Sequence, residues 1–341
     1  MTAYSILDLS PIVEGSTAAL SLQNSLALAQ HAEKIGYTRY WLAEHHNMPG
    51  VASAATSVVI GHIAGATKSI RVGAGGIMLP NHAPLVIAEH FGTLATLYPN
   101  RIDLGIGRAP GTDGFTARAL RRNFDHADQF PEDVIELQQY LQDKTLATSR
   151  IRAVPGEGTN VPLWMLGSSL YGAKLAAYMG LPYVFASHFA PDALTQAVQV
   201  YRDNFQPSKQ LLKPYLMFSV NVFAADCDAQ AQYVRSSHVQ GFANMISARP
   251  SLLPYPLNNV EAVVDSVTLA QVNHSLRCGA TGGPEKIYRE LAQLIDQHRP
   301  DEIIINSPIH AHQDRLKSYS IAADAIKRLN SEALSSREAE L

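Results

Sequence analysis

Cysteine is almost absent from this chain. Its 341 residues include only Cys227 and Cys278, which form neither a CxxC motif nor a cysteine–histidine set at zinc-site spacing. A chain of this length can bury a large core without covalent cross-links. The sequence therefore argues against a disulfide framework, and it suits a reducing compartment.

Long apolar runs and clusters of basic residues are also missing. No run approaches the roughly 18 apolar residues of a membrane span, and the first 20 residues lack the basic and apolar regions of a signal peptide. The net charge is −3, and no Lys/Arg cluster recurs, which disfavours nucleic acid as a partner. We expect a cytoplasmic protein that binds neither membrane nor nucleic acid.

What the chain does contain is a regular alternation of apolar runs and helical patterns. The eight runs span residues 4–9, 40–44, 72–79, 102–106, 163–166, 183–186, 215–223 and 302–306. Eight strands separated by helices indicate parallel βα units that close into a (β/α)8 TIM barrel. The alternative is an open doubly wound sheet, which commonly has a glycine-rich phosphate loop after its first strand, whereas this turn reads SPIVEG.

One segment interrupts the alternation. Residues 249–280 contain Pro250, Pro254 and Pro256 and have weak periodicity, so we interpret them as an insertion. The predicted organisation is a single barrel over residues 1–330 with that insertion, followed by a frayed polar tail at 331–341. The fold class is thus α/β, a barrel with insertions.

The carboxyl ends of the predicted strands are the expected place for functional residues in a barrel. Few of the residues there are carboxylates, and most are small, hydroxylic or imidazole side chains, which suits a neutral aromatic cofactor bearing a phosphate. These strand-end residues are Asp8, Ser10, Glu44, His45, His46, Gly75, Gly76, Gly107, Arg108, Gly167, Ser168, Ser169, Ser187, His188, Asn306 and Ser307.

Two of these strand ends predict a phosphate clamp. Arg108 follows the fourth strand, and a guanidinium grips phosphate in a forked geometry. Gly167, Ser168 and Ser169 follow the fifth strand at a helix start, where free amides and hydroxyls bind anions. The alternatives are a surface salt bridge for Arg108 and simple N-capping by one serine.

The histidine and glycine pairs each have two interpretations. His45 and His46 could bind a metal only if the strand had already ended, since neighbouring strand residues face opposite ways. We prefer one functional histidine, because imidazole titrates near neutrality, although His45 could also be a satisfied rim residue. Gly75 and Gly76 weaken a strand, so they mark either a flat ligand against the backbone or a bulge and tight packing.

Taken together, the motifs resemble those of the luciferase-like flavin monooxygenases. The matching segments are RYWLAEHH at 39–46, RVGAGGIMLP at 71–80, RIDLGIGR at 101–108 and LWMLGSS at 163–169. Their order and spacing agree over about residues 4–245 and 280–328. The LDLSP start, GRAPG and LGSS are similar to a bacterial subgroup of single-gene members. The resemblance implies a bacterial-luciferase-like barrel.

The resemblance also implies roles for particular residues. His45 matches the catalytic acid/base, and Gly75 and Gly76 match a pair joined by a non-prolyl cis peptide under the isoalloxazine ring. Luciferase itself has glutamate in place of Gly167 and threonine in place of Tyr171. The resemblance therefore does not establish a hydroxyl contact to the phosphate at Tyr171. The residues that match the phosphate site are Arg108, Pro110, Gly167, Ser168 and Tyr171.

The activity implied by this resemblance is that of an FMN-dependent monooxygenase. Reduced FMN would react with O2 to give a flavin peroxide, which attacks an unidentified small organic substrate. Because no second nucleotide-binding fingerprint is visible, a separate NAD(P)H:flavin reductase would supply the reduced flavin, and the resemblance favours a homodimer. The alternatives are F420-dependent hydride transfer and a flavin-binding protein without turnover. Zinc-dependent hydrolysis is a more distant alternative, since the favoured interpretation includes no metal site.

Overall fold

A closed barrel of eight parallel strands forms the centre of the molecule in the computed structural model, which describes residues 1–109, 113–121, 129–143 and 150–339. Strands β1 to β7 pair in chain order, and the β6–β7 pairing is part of that series. Strand β9 pairs with both β7 and β1 and so closes the barrel. Short β8 adds to the carboxyl half of β7. The strands are β1 (Ala3–Asp8), β2 (Arg39–Leu42), β3 (Arg71–Met78), β4 (Ile102–Gly107), β5 (Leu163–Gly167), β6 (Tyr183–Phe185), β7 (Leu216–Ala224), β8 (Gly279–Gly282) and β9 (Glu302–Asn306). The predicted (β/α)8 barrel is confirmed.

Helices cover the outside of this barrel. They are α1 (Ala18–Ile35), α2 (Thr56–Gly65), α3 (Pro84–Leu97), α4 (Gly114–Ala119), α5 (Phe130–Leu141), α6 (Leu170–Met179), α7 (Leu194–Asn204), α8 (Asp228–Ile246), α9 (Ser266–Ser275), α10 (Pro284–His298) and α11 (His312–Ala339). No helix in the described part of the chain is long and apolar enough to span a bilayer.

Alternation along each strand divides the core into two layers. On β9, Ile304 points into the barrel, where it joins a cluster with Trp41 and Trp164, whereas Ile303 and Ile305 belong to the outer layer between strands and helices. The two tryptophan rings meet edge to face with centroids 5.1 Å apart, a favoured aromatic geometry. Neighbouring strand residues face opposite sides of the sheet. An unbroken apolar run therefore supplies side chains both to the barrel interior and to the layer between strands and helices.

Buried ion pairs close the amino end of the barrel. Arg39, at the start of β2, contacts Asp103 at 2.8 Å and Glu302 at 3.1 Å, and Arg71 contacts Asp103 at 2.5 Å. Both carboxylates are buried, and contact with the guanidinium groups offsets the cost of removing these ion pairs from water. This leaves the carboxyl end as the open mouth.

Two segments differ from the sequence-based expectation. The interval assigned to an insertion at 249–280 contains α9 and the first residues of β8, the strand that pairs with β7. The tail expected to fray after residue 330 instead continues α11 as far as Ala339. The serine, alanine, glutamate and arginine residues of this tail are compatible with a helix. The helix was not predicted because the tail has few apolar residues and therefore no amphipathic periodicity.

Candidate functional site at the barrel mouth

The paired glycines lie within β3, where it meets β4. Their peptide bond is cis, and the β3–β4 register shifts between Ala74 and Ile77. A Cβ at Gly75 would lie 2.8 Å from Leu7, and one at Gly76 would lie 2.9 Å from the carbonyl oxygen of Gly105. Close packing thus favours glycine at both positions, most strongly at Gly76, where a Cβ would meet backbone atoms.

Glu44, just after β2, is the centre of a hydrogen-bond network at the mouth. It is 1% exposed, and it accepts bonds from His46 Nε2 at 2.7 Å, His82 Nε2 at 2.9 Å and the Met78 amide at 2.9 Å. Burial alone would raise the pKa of Glu44, but the bonds from His82, His46 and Met78 outweigh burial, so its pKa lies below the ordinary value. The carboxylate therefore stays ionised and fixes both imidazoles.

These three side chains also bring potential metal ligands together. One ligand atom each from Glu44, His46 and His82 lies within 4.8 Å of the others. The sequence suggested Glu44, His45 and His46 as candidate metal ligands. In the structure the third member of the group is His82 and not His45. The ligand atoms are occupied by hydrogen bonds to one another, which favours the network as a positioning device for the His45 segment.

We predict that Glu44→Ala lowers the free energy of unfolding at pH 7 by about 3 kcal/mol, because two imidazoles and a backbone amide lose their acceptor. The folded pKa of Glu44 is depressed. The stability difference between wild type and variant should therefore be full above the unfolded pKa and shrink as the pH falls towards the folded pKa. Urea unfolding at successive pH values measures this difference.

Glu132, exposed in the first turn of α5, provides the matched control, since its change to alanine should cost less than about 1 kcal/mol. Equal costs for the two alanine variants would show that the Glu44 network contributes nothing specific.

His45 lies next to Glu44 in the chain, in the segment that follows β2. Its Nδ1 is covered by protein and has no hydrogen-bond partner among the described residues. Burial lowers the pKa of His45, Glu44 partly opposes this effect, and His46 adds to it. The interpretation of His45 as a satisfied rim histidine is therefore wrong for Nδ1, whose hydrogen bond no described residue supplies.

Two further imidazoles extend this group: His188 interacts with His45, and His238 interacts with His188. Burial and, to a smaller extent, the charge of His45 lower the pKa of His188, after β6, to about 3. Burial also lowers the pKa of His238, on α8, to about 3. His188 Nδ1 and His238 Nε2 have no hydrogen-bond partner among the described residues. Three imidazoles with lowered pKa thus each have a buried ring nitrogen without a hydrogen-bond partner among the described residues.

The predicted phosphate clamp comes together in part. Arg108 follows β4, and its guanidinium carbon lies 4.2 Å from the ring centroid of Tyr171, in the first turn of α6. Ser168 lies three residues before that tyrosine, directly after β5. Stacking on the ring orients the guanidinium, so Arg108 and the start of α6 share one exposed side of the mouth. Pro110 falls outside the described residues.

The start of α6 is not capped by a serine side chain. Ser169 is the N-cap residue, but its hydroxyl makes no capping hydrogen bond, and Ser168 and Ser169 are both exposed. N-capping is therefore wrong as an explanation of this serine pair. The first-turn amides of a helix carry partial positive charge, and here they lie beside Arg108, as an anion site requires.

An apolar cavity of about 140 Å³ opens beside β1 and β9. The buried Asp8–Arg315 ion pair, with its nitrogen–oxygen distance of 2.5 Å, lines one side, and His238 lines another. The apolar lining comes from Leu9, Met48, Val51, Phe242, Met245, Leu252 and Leu253. Such a cavity, mostly apolar with a few polar groups, is typical of a small-molecule site.

Comparison with known proteins identifies the family. The model of the Bac_luciferase family, described as luciferase-like monooxygenase, matches residues 3–298. A luciferase-like monooxygenase of Escherichia coli (strain K12) is 49% identical over 328 residues, covering 96% of this chain and 98% of that protein.

Solved structures agree in fold. The crystal structure of apo-MsnO8 superposes with a TM-score of 0.85 at 33% identity, covering 96% of this chain and 99% of that chain. The oxygenating constituent of 3,6-diketocamphane monooxygenase from Pseudomonas putida, solved with FMN, shares the fold with a TM-score of 0.65 at 15% identity, covering 95% and 97% of the two chains. Solved structures of this fold include complexes with FMN and with an F420 adduct. By its family-model match and its near-complete alignment with such relatives, this chain belongs to the luciferase-like monooxygenase family.

Proposed function

We propose that this protein is an FMN-dependent monooxygenase that uses O2 to oxidise a small, largely apolar organic molecule. The observation that supports this most directly is the shared position of Arg108, Tyr171 and the uncapped start of α6. A guanidinium beside free helix amides suits a terminal phosphate, and FMN has a phosphate at the end of its ribityl chain.

The residues present fit such a cofactor. Arg108, Gly167, Ser168, Tyr171 and the segment at Pro110 are the proposed phosphate site, and the Gly75–Gly76 backbone is the proposed floor for the ring. The unpartnered Nδ1 of His45 is a hydrogen-bonding group without a protein partner, as expected where a ligand completes the site. These residues would hold a reduced FMN, which would supply two electrons so that one oxygen atom of O2 enters the substrate and the other leaves as water.

The chain's own contribution is positioning and proton control. The Glu44 network holds the segment that carries His45, and neutral His45 can take a proton from a reacting group. The apolar cavity beside β1 and β9 excludes water from the substrate side. We infer the substrate class from the lining of this cavity alone. The proposed substrate has an apolar body and a polar group within reach of His238.

A reconstitution assay tests the proposal. We expect O2-dependent product formation from organic test substrates when FMN, NADH and a separate flavin reductase are added together. Little reaction is expected with FMN and NADH alone, because no second nucleotide site was found in the sequence. Rapid NADH or NADPH oxidation by the purified protein without reductase would contradict the proposal.

Two alternatives are separated by the same assay. F420-dependent hydride transfer predicts oxidation or reduction of substrate with F420 and without O2 consumption. A flavin carrier predicts FMN binding without turnover. The proposed homodimer is checked independently by sedimentation, which should give twice the mass of one 37.1 kDa chain.

A further inference from the structure

A second, polar cavity lies beside the carboxyl half of β7. Its volume is about 280 Å³, and it opens between β7, β8, α8 and α10. Its lining includes three cationic side chains, Arg235, Arg277 and Lys286, and one carboxylate, Glu290. The proposed flavin-phosphate site lies at β4, β5 and α6, on different strands of the barrel.

Two of the three cations in this cavity are already ion-paired. Arg277 Nη2 lies 2.5 Å from Asp192 Oδ1. Lys286 Nζ lies 3.9 Å from Glu290 Oε1 and 4.0 Å from Asp228 Oδ2. The second oxygen of Glu290 accepts a bond from the Thr281 amide at 2.8 Å. The acidic groups around the cavity are thus engaged with these two cations and the backbone.

Arg235 differs from both. Among the residues that the structure describes, it forms no ion pair, and its polar contact is the hydrogen bond that Nη2 donates to Asn273 Oδ1 at 3.1 Å. Its side chain is partly buried, and burial lowers its pKa with no carboxylate to oppose this effect. A partly desolvated guanidinium without an acidic partner is costly unless an anion neutralises it.

Neutral polar groups complete the cavity. Gln232 and Thr281 line it, and so does Asn221, whose amide nitrogen donates to the His188 carbonyl oxygen at 2.5 Å. Amide and hydroxyl donors beside an unpaired guanidinium are the usual surroundings of a bound carboxylate or phosphate. The volume leaves room for a small organic anion.

We propose that this cavity is a binding site for the carboxylate or phosphate group of a small molecule, with Arg235 as its charged anchor. The site is separate from the flavin-phosphate clamp, and it does not depend on the proposed oxygenase chemistry. The fold would then have two anion sites, one beside α6 and one between β7, β8, α8 and α10.

Calorimetric titration with inorganic phosphate at low ionic strength tests this proposal. The parent protein carries Arg108→Ala, so that the clamp does not contribute. We expect phosphate to bind this parent, and we expect Arg235→Met on the same background to weaken binding at least about tenfold, since one charge-assisted contact is lost. Arg289→Met, the matched change on the exposed face of α10, should alter it less than about twofold.

A second variant changes affinity in the opposite direction. Glu290→Gln removes the only carboxylate that lines the described cavity while keeping an acceptor for the Thr281 amide, and it should tighten phosphate binding roughly threefold. The proposal is overturned if the parent binds no phosphate, if the Arg235 and Arg289 variants behave alike, or if Glu290→Gln leaves the affinity unchanged. Because these experiments need no flavin, their failure is distinguishable from failure of the oxygenase proposal.

Discussion

Replacing Arg108 with alanine should weaken FMN binding about 100-fold, the effect of losing a charge-assisted, forked contact of roughly 3 kcal/mol. The guanidinium is oriented by stacking 4.2 Å from the centroid of the Tyr171 ring, beside the uncapped start of α6. Its loss should therefore act on the phosphate of the cofactor. Fluorescence quenching of free FMN measures the affinity.

Riboflavin makes this test specific, because it has the same ring without the phosphate. Arg108→Ala should change riboflavin affinity less than about threefold. Arg118→Ala, an equal charge change on exposed α4, controls for the overall field and should leave both affinities unaltered. Equal losses for FMN and riboflavin would show that Arg108 does not bind phosphate.

The second large effect is expected at His45. His45→Ala should lower kcat for oxygenation about 10²–10⁴-fold, the usual contribution of a general acid or base, while FMN affinity changes less than about threefold. The same substitution at His90, exposed on α3, is the control and should leave kcat unaltered. A His45 variant with wild-type flavin binding and wild-type kcat would contradict the catalytic role.

The pH profile distinguishes catalysis by His45 from a merely structural role. Burial lowers the pKa of His45 below 6.5, so the imidazole is neutral at pH 7 and gains a proton only in more acidic solution. The wild-type kcat should therefore be level at neutral pH and fall on the acidic side, and His45→Ala should remove that fall. A decline on the alkaline side that depends on His45 would instead indicate a protonated acid.

Local patterns were sufficient to predict the barrel. All eight barrel strands lie within a few residues of the predicted runs, because each strand is an apolar run that is followed by a helical pattern. Short β8 was missed because GATG has little strand propensity and is specified by pairing with β7. Helix α9 was missed because only Val272 on it is buried, so it shows little amphipathic periodicity.

The candidate site was predictable only where motifs lie at strand ends. His45, Arg108 and Ser168 each follow a strand, and parallel strands bring their carboxyl ends together. His82 reaches Glu44 from a different loop, and Arg315 pairs with Asp8 across 307 residues of sequence. His238 enters the mouth from α8. Such contacts depend on how distant segments pack, and no local periodicity encodes them.

The central claim is that one flavin phosphate is held between Arg108 and the start of α6. A crystal structure of the protein with bound FMN tests this most directly. We predict phosphate oxygens within about 3 Å of the Arg108 guanidinium and the Ser168 hydroxyl or amide, with the ring against Gly75–Gly76 and facing His45. A phosphate elsewhere in the barrel, or a ring remote from these glycines, would contradict the account.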